Sequence, residues 1–424
     1  MDTTMQAAPS GARLKDVYDF EADLKPRPEN GALPLPMLTL DLEVYRSNRD
    51  ALLRYGAGHH LLIAPHVKTA MLPNLAVDFV EAGGWGITVA DVRQATVMVD
   101  AGIKRVLIAN EVGGIHGARH FALLAAAHPD VEFFVFADSV DTVEALAVAW
   151  QEVRPARCAA VLLELGAGRA GARNLDAFAR VVDAAIRADK NGDILLAGVA
   201  AYEGAAATGD MNDAVHRVDT LLSLQGRALE YLRQSVGPNR RLIVTAGGSM
   251  YLDRVAALLG RTVELDENAD LIIRPGAILF SDHGLYERAL TAMGARHGFA
   301  QADVSDIGPF RPALRVWAEV LSRPESGLAI CGMGMRHASY DAGLPRALRV
   351  FRDGVDQQLD TTDIIVTRLN DQHAFLSAHD VDLKVGDIVE FGISHPCTCM
   401  HLWRTVRVLD AEGNISGQMS TNFD

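Results

Sequence analysis

A lysine that closes an apolar run is the first residue of this chain to invite chemistry. In LLIAPHVKTA the run beginning at Leu61 ends on His66 and Lys68. Lysine is rarely buried without a partner. A partly desolvated amine gives up its proton more easily, which suits imine formation with an aldehyde. A lysine at the rim of a fold, reaching water, would look the same in sequence. Further on, TAGGSMYLD carries Thr245, Gly247, Gly248 and Ser249, and RPGAI carries Arg274 and Gly276. Glycines followed by serine at a strand-to-helix junction offer backbone N–H groups, a hydroxyl and a helix N-terminus, a set that suits a phosphate. Most Gly-Gly pairs are only turns, so position must decide. A third group is ISHPCTCMHLWR. An extended backbone puts His395, Cys397 and Cys399 on one face. Imidazole with thiolate is a zinc-type donor set, and two or three protein donors leave coordination positions open, as in catalytic sites. Pro396 confines such a strand to an edge or a loop mouth. A chance His-x-Cys in a reduced protein is the competing reading, and His373 in NDQHAF is the nearest candidate helper.

The elements that must position these residues follow from the apolar pattern. Between about 60 and 282, eight short runs rich in Val, Ile and Leu begin at Leu61, Gly84, Arg105, Val131, Cys158, Ile194, Arg241 and Asp270. Helix-patterned segments such as NLDAFARVVDAAIRADK separate them. Continuous apolar strands alternating with helices imply a parallel sheet covered on both faces. Eight units in a row point to a closed (β/α)8 barrel. An open doubly wound sheet is the alternative, and no GxGxxG fingerprint follows the first strand to favour it. After about residue 300, pieces such as ALRVWAEVLSRP, TDIIVTRLN, VGDIVEFGISH and RTVRVLD read as strands between turns, a mostly antiparallel β domain. The expected division is a barrel over 40–285 and a β domain over 300–424, with 1–39 packing against the latter.

Composition narrows the classes. The 424 residues hold 40 Lys and Arg against 54 Asp and Glu, a net charge of −14, with no basic cluster to bind nucleic acid. No apolar run reaches the roughly 18 residues of a membrane span. The N-terminus lacks the apolar core of a signal peptide, which points to the cytoplasm. Four cysteines are too few for a disulfide scaffold of this size.

A barrel places its active site at the C-terminal ends of its strands, often with phosphate bound after strands seven and eight. Lys68 ends strand one, while the AGGS and RPG turns end strands seven and eight. An amine and a phosphate cradle so placed suggest pyridoxal phosphate. Arg169, in GAGRAG after strand five, and Arg274 can then hold the cofactor's phenolic oxygen or face its ring nitrogen. Each can equally form a salt bridge to a carboxylate such as Glu164.

The motifs PHVKTA at 65–70, GITVADVRQATVMVDAGI, VLIANEVGG, LELGAGRAG, AYEGA, AGGS, RPG and SHPCTC followed by WR occur in the order seen in D-serine dehydratases and D-threonine aldolases. The chain resembles that family of pyridoxal-phosphate enzymes, with its alanine racemase-like barrel and C-terminal β domain, over about 35 to 410. The resemblance implies that Lys68 is the Schiff-base lysine, with His66 beside it. It implies that Arg169 approaches the phenolic oxygen, Tyr202 borders the cofactor, and Gly247, Gly248, Ser249 and Gly276 cradle the phosphate. His395 and Cys397 match the metal-binding pair. A His-x-Cys pair resembles the zinc-holding dehydratases, whereas the aldolases tend to carry His-x-Asp. Three positions depart from the pattern. Ala70 and Met71 follow where relatives often place a histidine, Asp371 to Ala374 replace an EEHG-like run, and Cys399 stands where threonine is common.

The expected activity is β-elimination from a D-3-hydroxy amino acid such as D-serine, giving a 2-oxo acid and ammonia. A D-threonine-type aldolase yielding glycine and an aldehyde is the alternative, a racemase is third, and a non-catalytic pyridoxal-phosphate protein is the reading from a different class. The resemblance also implies a homodimer in which the β domain of one chain completes the partner's site.

Overall fold

The computed structural model describes residues 26–207, 211–299 and 310–423. Of the expected domain limits, residues 1–25 and 300–309 lie outside these. Each of the eight apolar runs becomes one strand. After β1 (Met37–Asp41) come β2 (Leu62–Ile63), β3 (Ile87–Val89), β4 (Arg105–Glu111), β5 (Glu132–Ala137), β6 (Ala159–Leu165), β7 (Ile194–Ala201), β8 (Leu242–Ala246) and β9 (Ala269–Ile273). Strands β2 to β9 form an all-parallel sheet in the order β2-β9-β8-β7-β6-β5-β4-β3. The barrel closes between β2 and β3 through a parallel bridge of His66 with Thr88. Trp85 N donates to Ile63 O at 2.8 Å and Thr88 N to Pro65 O at 2.9 Å across the same seam.

Burial on both faces explains why the strands read as unbroken apolar runs: all seven residues of β6 are buried. Leu107, Phe136, Leu162 and Ala200 belong to a separate cluster inside the barrel, while their chain neighbours pack outward under the helices. The helix Leu175–Asn191 shows how the cover forms. Asn174 caps it by accepting from Ala177 N at 2.9 Å, Gly192 ends it at φ 76°, and Phe178, Val181, Val182 and Ala185 fill its buried face. Such a cap contributes about 1 kcal/mol.

The second domain is a mixed ten-stranded sheet. Its strands are β10 (Leu314–Glu325), β11 (Leu328–Cys331), β12 (Arg346–Arg352), β13 (Val355–Asp356), β14 (Ile365–Leu369), β15 (Ala374–Ser377), β16 (Ile388–Gly392), β17 (Thr405–Leu409) and β18 (Ile415–Ser420), joined by β1. Strand β1 inserts between β10, antiparallel, and β17, parallel. From β1 the described chain therefore leaves the second domain, runs through the barrel and returns. No helix among the described residues is long and apolar enough to cross a membrane.

Candidate active site

Lys68 occupies a single 3-10 turn, Val67–Thr69, immediately after β2. It opens into a cavity at the C-terminal mouth of the barrel, lined also by His66, Asn110, Arg169, Tyr202, Gly247, Gly248, Ser249, Arg274, Gly276, Tyr286 and Cys397. Although Lys68 is accessible from this cavity, the enclosing protein lowers its pKa. The Cys397 thiol opposes that shift, and the guanidinium groups of Arg169 and Arg274 add to it. The amine is thus biased toward its neutral, nucleophilic form. Burial, with Lys68 and Arg274 nearby, holds His66 well below the usual histidine range. Its Nδ1 is buried without a partner. A larger cavity opens at the opposite end of the barrel, beside Trp150, Arg157 and Cys158, but no lysine lines it.

The two glycine turns close the far side of the mouth. Gly276 lies so close to the lysine turn that a Cβ there would sit 2.1 Å from His66 O. Gly247 has φ +91°, a left-handed value that favours glycine. Ser249 Oγ accepts from Ile278 N at 3.2 Å, which joins the two turns.

The structure divides the expected cofactor contacts. Lys68, His66, Arg169, Tyr202, Gly247, Gly248, Ser249, Arg274 and Gly276 all line the cavity, whereas Thr245 does not. Its fully buried hydroxyl donates to Ile272 O at 2.9 Å and accepts from Arg274 Nη1 at 2.5 Å. Thr245 is a brace in the barrel wall, because its side chain satisfies the neighbouring strand. Arg274 is largely committed to the same wall, since Nη2 donates to Ala201 O at 2.8 Å. Its pKa falls to about 10, chiefly through burial, with Glu203 and Glu164 opposing. Arg169 remains half-exposed at the mouth. Its Nη2 lies 3.8 Å from Glu164 Oε1 and its guanidinium 5.2 Å from the Tyr202 ring. Asp138 accepts from Gly171 N at 3.0 Å and so anchors the loop that carries Arg169.

The extended reading of SHPCTC is corrected. Pro396–Met400 is a short helix with His395 as its N-cap residue. Proline is well suited to the first helical position, since its missing N–H would have no intrahelical partner there. Helical geometry separates the two thiols. Cys397 faces the cavity, with Thr69 Oγ1 3.3 Å from its Sγ. Cys399 is fully buried, with its Sγ 3.8 Å from His337 O. His395 Nδ1 lies 2.6 Å from Asp341 Oδ2, and Asp341 Oδ1 accepts from Thr398 Oγ1 at 2.8 Å. Contact with the Cys397 thiol, together with Asp341, raises the His395 pKa to about 9 against burial. Among the described residues, no three His, Cys, Asp or Glu side chains gather in a metal-binding group. His373 lies in the β14–β15 turn and does not line the cavity.

Three residues near the site had no marked role in the sequence, Thr69, Tyr286 and Asp341, while Glu164 was expected only as a salt-bridge partner. Burial and the Glu164 carboxylate push the Glu111 pKa up to about 8. Glu111 and Glu164 end barrel strands, so their positions carried a signal; Asp341 sits 54 residues before its histidine, and no spacing rule reaches that far.

A lysine with a lowered pKa, glycine turns opposite it and a buried unpartnered imidazole nitrogen fit a phosphorylated aldehyde such as pyridoxal phosphate. The His395 and Cys397 donors fit a metal only as a two-residue site completed by water or substrate. The barrel with its second, mixed sheet is a fold of the alanine racemase-like type. The "Putative serine dehydratase domain" family matches residues 313–409. The 3-hydroxy-D-aspartate aldolase of Paracoccus denitrificans (strain Pd 1222) is 25% identical over 395 residues, covering 91% of each chain. The D-threonine aldolase structure from Filomicrobium marinum superposes with a TM-score of 0.71 at 23% identity, covering 92% of this chain and 95% of that one. D-threo-3-hydroxyaspartate dehydratase from Delftia sp. HT23 gives 0.70 at 20% identity, covering 94% and 100%. The chain is thus similar in sequence to a 3-hydroxy-D-aspartate aldolase over 91% of its length, and in fold to a D-threonine aldolase and a D-threo-3-hydroxyaspartate dehydratase.

Proposed function

We propose that this protein is a lyase that eliminates water from a D-3-hydroxy amino acid, with D-serine the simplest substrate, to release a 2-oxo acid and ammonia. The observation that carries the reading is the approach of Thr69 to Cys397 at 3.3 Å, which brings the Cys397 thiol, two residues after His395, into the cavity of Lys68. Pyridoxal phosphate, when bound, supplies the electron sink for charge developing at Cα. Lys68 holds the cofactor and, once free, removes the Cα proton at Nζ. Its lowered pKa makes the neutral, basic form of the amine easier to reach than in an ordinary lysine. Arg169 and Tyr202 border the reacting end of the cavity, and the turns at Ser249 and Gly276 anchor the phosphate end. His395 and Cys397 would hold zinc, whose Lewis acidity suits a departing β-oxygen. The thiolate favours zinc over harder cations.

The second reading is aldol cleavage to glycine and an aldehyde. It is favoured by the match to a 3-hydroxy-D-aspartate aldolase over 91% of the chain. One assay separates the two. Purified protein with pyridoxal phosphate is given D-serine, D-threonine and D-3-hydroxyaspartate, with and without chelator, and keto acid, ammonia and glycine are measured. Keto acid with ammonia, lost on chelation, is expected; glycine as the product overturns elimination. We further propose a homodimer. Tyr340, Leu344 and Leu402 are exposed apolar side chains close in sequence to Asp341 and the Pro396–Met400 helix, a surface that a second copy would cover.

A further inference from the structure

Two successive backbone N–H groups in a left-handed turn form a concave nest for an anion. The Gly247–Gly248 turn has this form, and its nest is already filled. Both N–H groups donate to one internal carboxylate: Gly247 N to Glu203 Oε2 at 2.9 Å, and Gly248 N to Glu203 Oε1 at 2.7 Å. Glu203 follows β7 in a 3-10 turn and is fully buried. A buried carboxylate needs a partner for each oxygen, and here each oxygen has one. Charge-assisted bonds of this length are among the stronger hydrogen bonds in proteins. The Arg274 guanidinium supplies a nearby positive charge. Arg274 N in turn donates to Gly247 O at 2.9 Å, so the turn is held from both sides.

We infer that Glu203 is the positioning residue of the phosphate turn. It reserves the Gly247 and Gly248 amides for itself and sets the curvature that presents Ser249 and the Gly276–Ala277 turn to the phosphate. The inference rests on the pyridoxal-phosphate reading and moves the phosphate contacts one residue along the loop from the two glycine amides. A side chain at Gly248 would come 3.0 Å from the Tyr202 ring, so the turn has little room to adopt another course.

The test compares dissociation constants for pyridoxal phosphate and for pyridoxal, which lacks the phosphate, in wild type and Glu203→Gln. Glutamine keeps one acceptor and turns an NH2 group toward the other amide. The expected result is a rise of about tenfold in the constant for pyridoxal phosphate, with that for pyridoxal unchanged. An equal loss for both ligands, or no loss, overturns the inference. Should the variant not fold, hydrogen exchange of wild-type peptides spanning 246–249 decides. Slow exchange in the cofactor-free protein, unchanged on adding pyridoxal phosphate, is expected; fast exchange that slows only with cofactor overturns it. A wild type that binds no pyridoxal phosphate refutes the functional reading, while the exchange measurement still reports on the Glu203 contacts.

Discussion

The Thr69 hydroxyl and the Cys397 thiol lie 3.3 Å apart across 328 residues of chain. Thr69 follows Lys68 in the barrel, and Cys397 lies in the helix Pro396–Met400 of the β domain. One chain thus brings the amine and the Cys397 thiol to a single cavity.

That proximity separates two roles. Cys397→Ala is expected to leave the visible absorbance of lysine-bound pyridoxal phosphate intact while lowering zinc content and cutting keto-acid production by about a hundredfold or more. Metal analysis beside the spectrum checks this, and loss of the cofactor band would instead make Cys397 part of the cofactor pocket.

Lys68→Ala should remove that band and abolish turnover, since no other lysine lines the cavity. Borohydride reduction followed by peptide mapping should trap the cofactor on Lys68 in the wild type. A cofactor trapped elsewhere would reassign the amine.

Asp341 Oδ2 lies 2.6 Å from His395 Nδ1 and holds that ring nitrogen. Such outer-sphere carboxylates typically alter metal affinity 10–100-fold. Asp341→Asn should weaken zinc by about that factor in a chelator competition, with the affinity for pyridoxal phosphate unchanged; unaltered zinc affinity would reduce Asp341 to a local brace.

Gly276→Ala puts a methyl group 2.1 Å from His66 O. The backbone on both sides must shift, a strain of about 1–3 kcal/mol. Thermal unfolding should record a lower Tm, with weaker pyridoxal-phosphate binding because the lysine turn moves with it.

The Glu111 carboxyl titrates near 4.5 when unperturbed and at about 8 in the fold, chiefly through burial and secondly through Glu164. Between those values the folded state holds an extra proton, so this group's contribution to stability declines as pH rises from about 4.5 to about 8. Glu111→Gln removes the titration while keeping the shape. Its Tm should fall less steeply with pH across that window than that of the wild type, and an unchanged slope would place the proton elsewhere.

The barrel was legible because a parallel sheet buried on both faces leaves unbroken apolar runs, as in β6. Strand β12 was not legible. Its arginines Arg349 and Arg352 hide it, and they are tolerated because Glu390 and Asp387 meet them at 2.5 and 2.8 Å. The His395 segment misled for a local reason, since Pro396 suits both an edge strand and a first helical turn.

By itself the sequence determined the eight-unit barrel, the lysine, the glycine turns and the His–Cys pair, because periodicity and residue chemistry are local properties. Tertiary structure alone decided that Cys397 faces the cavity while Cys399 is buried, that Thr245 and much of Arg274 serve the barrel wall, and that Glu203 occupies the glycine amides. Those outcomes depend on which groups compete for each donor and acceptor once distant segments pack, and buried polar groups take the partner that geometry brings within reach.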